Sequence, residues 1–124
     1  MSQVLAIAGG GALGAVLRYW MSTAVYTVAG REFPYGTLAV NVLGSLVMGF
    51  LYIWLLERSL ESAAVRAFLL IGLLGAFTTF STFSIETLLL MEGGQYIRAL
   101  VNTLLSVVLC ITAAGFGVIL ARQL

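Results

Sequence analysis

Charged residues in this chain stand so far apart that the stretches between them repeatedly reach the length of a membrane-crossing helix. A hydrocarbon core about 30 Å thick takes roughly 20 apolar residues of helix. Residues 4–28, 35–56, 66–91 and 96–120 each meet that requirement. Lipid, not water, is therefore the solvent for most of the surface, in keeping with 61% hydrophobic and 9% charged residues among 124. The expected fold class is an all-α membrane protein with four transmembrane helices in a single domain, residues 1–124. The first apolar run lacks a basic leader and merges into the rest, so no cleaved signal peptide is expected.

The charged residues exclude several functions. All six basic residues are Arg and all five acids are Glu, and a net charge of +1 offers no footprint for nucleic acid. There is no His, and Cys110 stands alone in an apolar run, so neither an internal disulfide nor a His/Cys metal cluster is expected.

The connectors, Ala29-Gly-Arg-Glu-Phe, Glu57-Arg-Ser-Leu-Glu-Ser and Glu92-Gly-Gly-Gln, are short enough to join antiparallel neighbours. Pro34 stands where the second helix begins, where a missing N–H is harmless, and Gly93-Gly94 suits a helix end. Four crossings place Arg58, Arg66 and Arg122 on one side and Arg31 and Arg98 on the other. That near balance permits insertion in both directions and hence an antiparallel pair; alternatively, Arg58 and Arg66 suffice for one orientation. Small residues at four-residue spacing, Gly10/Gly14, Ser45/Gly49 and Ala113/Gly117, predict close helix packing. So few helices enclose a polar pathway poorly, which favours an oligomer for any transport role.

The third span carries Gly72-Leu-Leu-Gly75-Ala-Phe-Thr78-Thr79-Phe80-Ser81-Thr82-Phe83-Ser84, the most polar and aromatic stretch at membrane depth. Glycines followed by β-branched and hydroxyl residues predict an interruption near Thr78; a straight helix whose hydroxyls bond back to the preceding turn is the competing reading. Irregular backbone in a bilayer persists only where protein or a watery cavity satisfies it, so an interruption implies a site. A restart around Ser81, capped by Ser81 or Thr82, would point free N–H groups and a helix dipole at an anion. Phe80 and Phe83 share a face, and their ring edges carry partial positive charge.

Other polar residues fit the same reading. Asn41 is isolated among apolar residues, and Asn102, Ser106 and Cys110 follow one another at i+4 steps on one stripe. They serve either as donors to a dehydrated ion or as interhelical glue. Arg18 either draws anions to a pore mouth, snorkels, or pairs with a glutamate. Glu86 is either a pathway residue or an ion-pair partner, since a bare carboxylate repels anions.

Three motifs carry a resemblance that runs end to end. They are Gly10-Gly-Ala-Leu-Gly-Ala-Val-Leu-Arg18-Tyr, Gly36-Thr-Leu-Ala-Val-Asn41-Val-Leu-Gly44-Ser and the Gly72–Ser84 stretch quoted above. The chain resembles the Fluc (CrcB) family of small bacterial fluoride channels. The resemblance implies an antiparallel dual-topology homodimer in the bacterial inner membrane, with a broken third helix and two pores for passive fluoride export. It implies Phe80 and Phe83 as pore phenylalanines, Asn41 as the polar pore residue, and hydroxyls from Ser81 and Thr82. Asn102 and Ser106 would form the polar track of the last helix, where some relatives carry tyrosine at 102 and serine at 110. A structural sodium ion at the dimer centre would be held by the carbonyls of Gly75 and Thr78. Such a protein is not an enzyme.

A small multidrug-type coupled transporter is the main alternative, but it needs a carboxylate in the first helix, which here has Arg18 and no acid. A non-transporting membrane assembly protein would need only the glycine-rich packing.

Overall fold

The computed structural model describes residues 1–58 and 62–124, the side chain of Arg58 excepted. Ser59, Leu60 and Glu61 of the second connector lie outside the described residues. Among the described residues, four spans are long and apolar enough to cross a membrane: Ser2–Ala29, Tyr35–Glu57, Ala63–Glu92 and Tyr96–Gln123. The first is helix α1 (Ser2–Ala29), the second lies within α2 (Tyr35–Arg58), and the last is α6 (Tyr96–Gln123). The third is composite: α3 (Ala63–Arg66), a π-helical segment (Ala67–Leu74), α4 (Gly75–Phe77) and α5 (Phe80–Glu92). The interruption expected near Thr78 is therefore present. The widened π segment before it was not anticipated, because the apolar run Ala-Phe-Leu-Leu-Ile-Gly-Leu-Leu carries no signal for one.

Turn chemistry explains where the spans end. Pro34 is buried and its carbonyl receives the N–H of Leu38 at 3.1 Å, the first turn of α2. At the end of α5, Gly94 takes φ 78°, left-handed backbone that glycine adopts without penalty. This lets Gln95 N–H reach the carbonyl of Leu90 at 2.8 Å.

The helices pack as two tight pairs, α1 on the π segment and α2 on α6. Glycine makes both contacts backbone against backbone. A Cβ on Gly10 would strike the carbonyl of Phe68 and one on Gly14 that of Leu73, while Gly49 and Gly117 meet the main chain of Ala114 and Leu46. The break lets the third span change neighbours: the π segment and α4 lie on α1, whereas α5 leans on α6. Two contacts mark the ends of the bundle. Arg122 Nε pairs with Glu57 at 3.4 Å on the side of the termini, and Arg98 donates to the Glu32 carbonyl at 3.1 Å on the other.

Gly14→Ala should lower stability by about 1–3 kcal/mol through overpacking against Leu73. Gly115→Ala, with nothing within 4 Å of the added carbon, should stay within about 0.5 kcal/mol. Thermal unfolding of the purified variants in detergent reads the difference, and equal unfolding temperatures would contradict the backbone contact.

Candidate anion site at the broken helix

Thr78 (φ −85°, ψ 157°) and Thr79 (φ −151°, ψ 120°) are extended and separate α4 from α5. Two residues of extended backbone free N–H and C=O groups that lipid cannot bond. Asn41 of α2 meets this need: its Nδ2 donates to the Thr79 carbonyl at 2.9 Å, and its Oδ1 accepts the Thr79 N–H at 2.7 Å. The carboxamide thus replaces a stretch of helix, pairing one residue's main chain on both sides. Thr78 is held from the other direction, its N–H and Oγ1 both donating to the Leu74 carbonyl at 3.1 and 2.9 Å.

Helix α5 starts at Phe80, one residue before the expected restart, and its cap is Thr79, not Ser81 or Thr82. Thr79 has the extended backbone an N-cap requires, and its Oγ1 accepts from Thr82 N–H at 3.1 Å. Ser81 and Thr82 are instead tied to the cap, their Oγ atoms lying 3.4 and 3.0 Å from Thr79 Oγ1. The first-turn N–H groups of Phe80 and Ser81 have no acceptor within the helix, which leaves a positive helix end at membrane depth.

Beside this end lies a groove of about 410 Å³ whose lining includes Asn41, Thr79, Phe80, Phe83, Ser106 and Cys110. Phe80 and Phe83 form its aromatic edge, with ring centroids 5.4 Å apart and planes inclined by 47°. Phe80 is 78% exposed. Gly44 also borders the groove, where a Cβ would run into the Thr78 methyl, so glycine at that position lets α2 approach the break. Thr78 lines the groove as well. Gly75, three residues earlier, is exposed at the end of the first half-helix.

Asn102 is not in this groove. It is 99% buried and donates to Thr87 Oγ1 at 2.9 Å, while Ser106 Oγ lies 3.5 Å from its Oδ1. The stripe therefore divides: Ser106 and Cys110 face the groove, and Asn102 turns toward α5. Thr87, Thr37 and Tyr26 were missed by sequence reasoning, since single hydroxyl residues at helix ends look like ordinary surface or glue. The signal for Tyr26 and Thr37 is Glu86, and that for Thr87 is Asn102. Among the described residues the Glu86 carboxylate meets no arginine; it accepts from Tyr26 Oη at 2.6 Å and from the buried Thr37 Oγ1. Arg18 is half-buried and, among the described residues, makes no hydrogen bond or ion pair, so the glutamate pairing considered for it is not found.

A family model described as CrcB-like protein, Camphor Resistance (CrcB), matches residues 5–118. The chain belongs to the CrcB family. It is similar to proteins described as the fluoride-specific ion channel FluC. One from Magnetococcus marinus is 52% identical over 120 residues, 97% of this chain and 98% of the relative. Another, from Coxiella burnetii, is 51% identical over 125 residues spanning all of both chains. A third, from Methylococcus capsulatus, is 53% identical over 98% of this chain, which spans only 54% of that relative's length. The resemblance read from the three motifs is thus borne out, and with it a multi-pass protein of the bacterial cell membrane.

Asn41→Leu should leave the N–H and C=O of Thr79 unpaired in the membrane, a loss of roughly 1–3 kcal/mol for each group. Asn41→Asp retains the acceptor for Thr79 N–H and should lose less. Denaturant unfolding ranks the two variants, and hydrogen exchange at the Thr79 amide reports the clamp directly; an unchanged amide in Asn41→Leu would contradict it.

Proposed function

We infer that this chain is a fluoride-specific ion channel that lets fluoride leave the cell passively. The observation that carries this reading is the likeness, along the whole chain, to relatives named fluoride-specific ion channels, in a protein whose third span is broken at membrane depth. No catalytic step is needed. Fluoride holds its water tightly, so a narrow path must replace that water with closely spaced donors. The groove supplies candidates in the second N–H of Asn41 and the free N–H groups at the start of α5, and the Ser106 hydroxyl joins them only by rotating its O–H away from Asn102 Oδ1. The ring edges of Phe80 and Phe83 add partial positive charge without adding a competing acceptor. Ser81 and Thr82 enter this scheme through the cap they share with Thr79. Asn102 enters it by orienting Ser106.

The working unit in this reading is an antiparallel homodimer with two pores. Three features of the single chain support it: a phenylalanine left mostly exposed beside the groove, a half-buried arginine with no partner among the described residues, and a groove that the single chain does not enclose. A structural sodium ion suits the end of the first half-helix, because helix C-terminal carbonyls are sodium ligands. Gly75 has no side chain to cover its carbonyl, and the Thr78 hydroxyl is already bound to Leu74, which leaves the main-chain oxygens of Gly75 and Thr78 as the donors. One chain offers too few oxygens for such an ion, and a second copy would double them. A coupled multidrug-type exporter finds no support, since α1 carries no acid.

Fluoride efflux from liposomes tests the channel. Phe80→Ile and Phe83→Ile should each reduce efflux by at least about tenfold while the size-exclusion profile stays that of the wild type, and methionine at either position should be milder. Normal efflux from both isoleucine variants would remove the rings from the path, and loss of folded protein before loss of efflux would make them packing residues. Accessibility labelling of tagged termini checks the dimer: every C-terminus on one side of the membrane would exclude the antiparallel arrangement.

A further inference from the structure

A second cleft, of about 480 Å³, opens between the first and third connectors at the Arg31–Arg98 end of the bundle, away from the groove at the break. We propose that it seats the head group of a bilayer phospholipid that carries a phosphate and a primary ammonium, that is, an ethanolamine-type zwitterion. Its place supports this: α1 ends at Ala29, α2 begins at Tyr35, α5 ends at Glu92 and α6 begins at Tyr96, so the cleft lies at head-group level.

Its two guanidiniums are held in position but not used up. Arg31 lies over the Tyr26 ring at 4.7 Å, a contact that leaves its N–H groups free. Arg98 Nη1 donates to the Glu32 carbonyl at 3.1 Å and to Gln95 Oε1 at 3.0 Å, which leaves the other arm of its fork available. Guanidinium forks suit phosphate oxygens.

The charges choose between occupants. Arg31 and Arg98 are balanced by Glu32 and Glu86, so the cleft has no net positive field with which to concentrate a small anion. Glu86, also in the lining, is occupied by Tyr26 and Thr37. Glu32 lines the cleft and is exposed, and Arg98 bonds its main-chain carbonyl, which leaves its carboxylate to take an ammonium while the guanidiniums take the phosphate. A primary ammonium donates hydrogen bonds to it; a choline head group has no N–H to give. Pro34, Leu89 and Leu90 form an apolar wall suited to the glycerol end of a lipid.

Native mass spectrometry of the purified full chain, with phosphatidylethanolamine, phosphatidylcholine or phosphatidylglycerol added separately, tests the site. Wild type should retain the ethanolamine lipid best, and Arg31→Gln should weaken that retention roughly tenfold, the worth of one charge-assisted contact. Among the described residues Arg31 makes no hydrogen bond, so this variant separates binding from folding, whereas Arg98→Gln also unties Glu32. Glu32→Gln should bring the ethanolamine lipid down to the choline level. Equal retention of all three lipids, or full retention by Arg31→Gln, would overturn the proposal. Slower fluoride efflux in Arg31→Gln with lipid retention intact would overturn it in favour of an ion mouth.

Discussion

Two extended residues inside a bilayer leave main-chain groups that no lipid can bond, and a single carboxamide answers for one of them on both sides. Asn41 receives the N–H and supplies a donor to the carbonyl of Thr79, doing for one residue what a helix does for many. Without that pairing the break would carry unsatisfied groups at a depth where each is expensive, and a continuous helix would be preferred. The rest of the architecture follows from it. Because the chain interrupts itself at Thr78, its first half stays on α1 while its second half reaches α6, and a helix N-terminus with free donors is exposed where a straight span would show only side chains.

Glycine contributes what the clamp cannot. The α1 and α2 contacts are made by main chain against main chain at Gly10, Gly14, Gly49 and Gly117, so the helices stand close without bulky interdigitation. Lipid offers no hydrophobic drive between helices, and dispersion at short range takes its place. Rigid close pairs give the break a fixed frame: Gly44 lets α2 press against Thr78, and that closeness is what brings Asn41 within reach of Thr79.

The polar residues divide by whether their hydrogen-bonding capacity is complete. Asn102 with Thr87, and Glu86 with Tyr26 and Thr37, are closed sets in which each group has a partner from another helix. They hold helices together and keep a carboxylate tolerable without a cation. Around the break, donors and aromatic edges remain unfilled, and Phe80 projects outward. Unfilled donors at membrane depth are what the anion path proposed for this CrcB-family chain would use.

The sequence by itself determined the four spans, their ends at Pro34 and Gly94, the interruption near Thr78 and the shared face of Phe80 and Phe83, because each follows from spacing or local backbone chemistry. The three motifs also determined the family. Only the tertiary structure decided which hydroxyl caps α5, that Asn41 bonds backbone as well as facing the groove, and that Glu86 is held by hydroxyls from two other helices and not by Arg18. The π segment and the turning of Asn102 away from Ser106's groove belong there too. Tyr26 and Glu86 are 60 positions apart, and Asn41 and Thr79 38. Periodicity shows which face of a helix a residue occupies; which residue of a distant helix it meets depends on register and approach distance, and here glycine contacts between backbones set both.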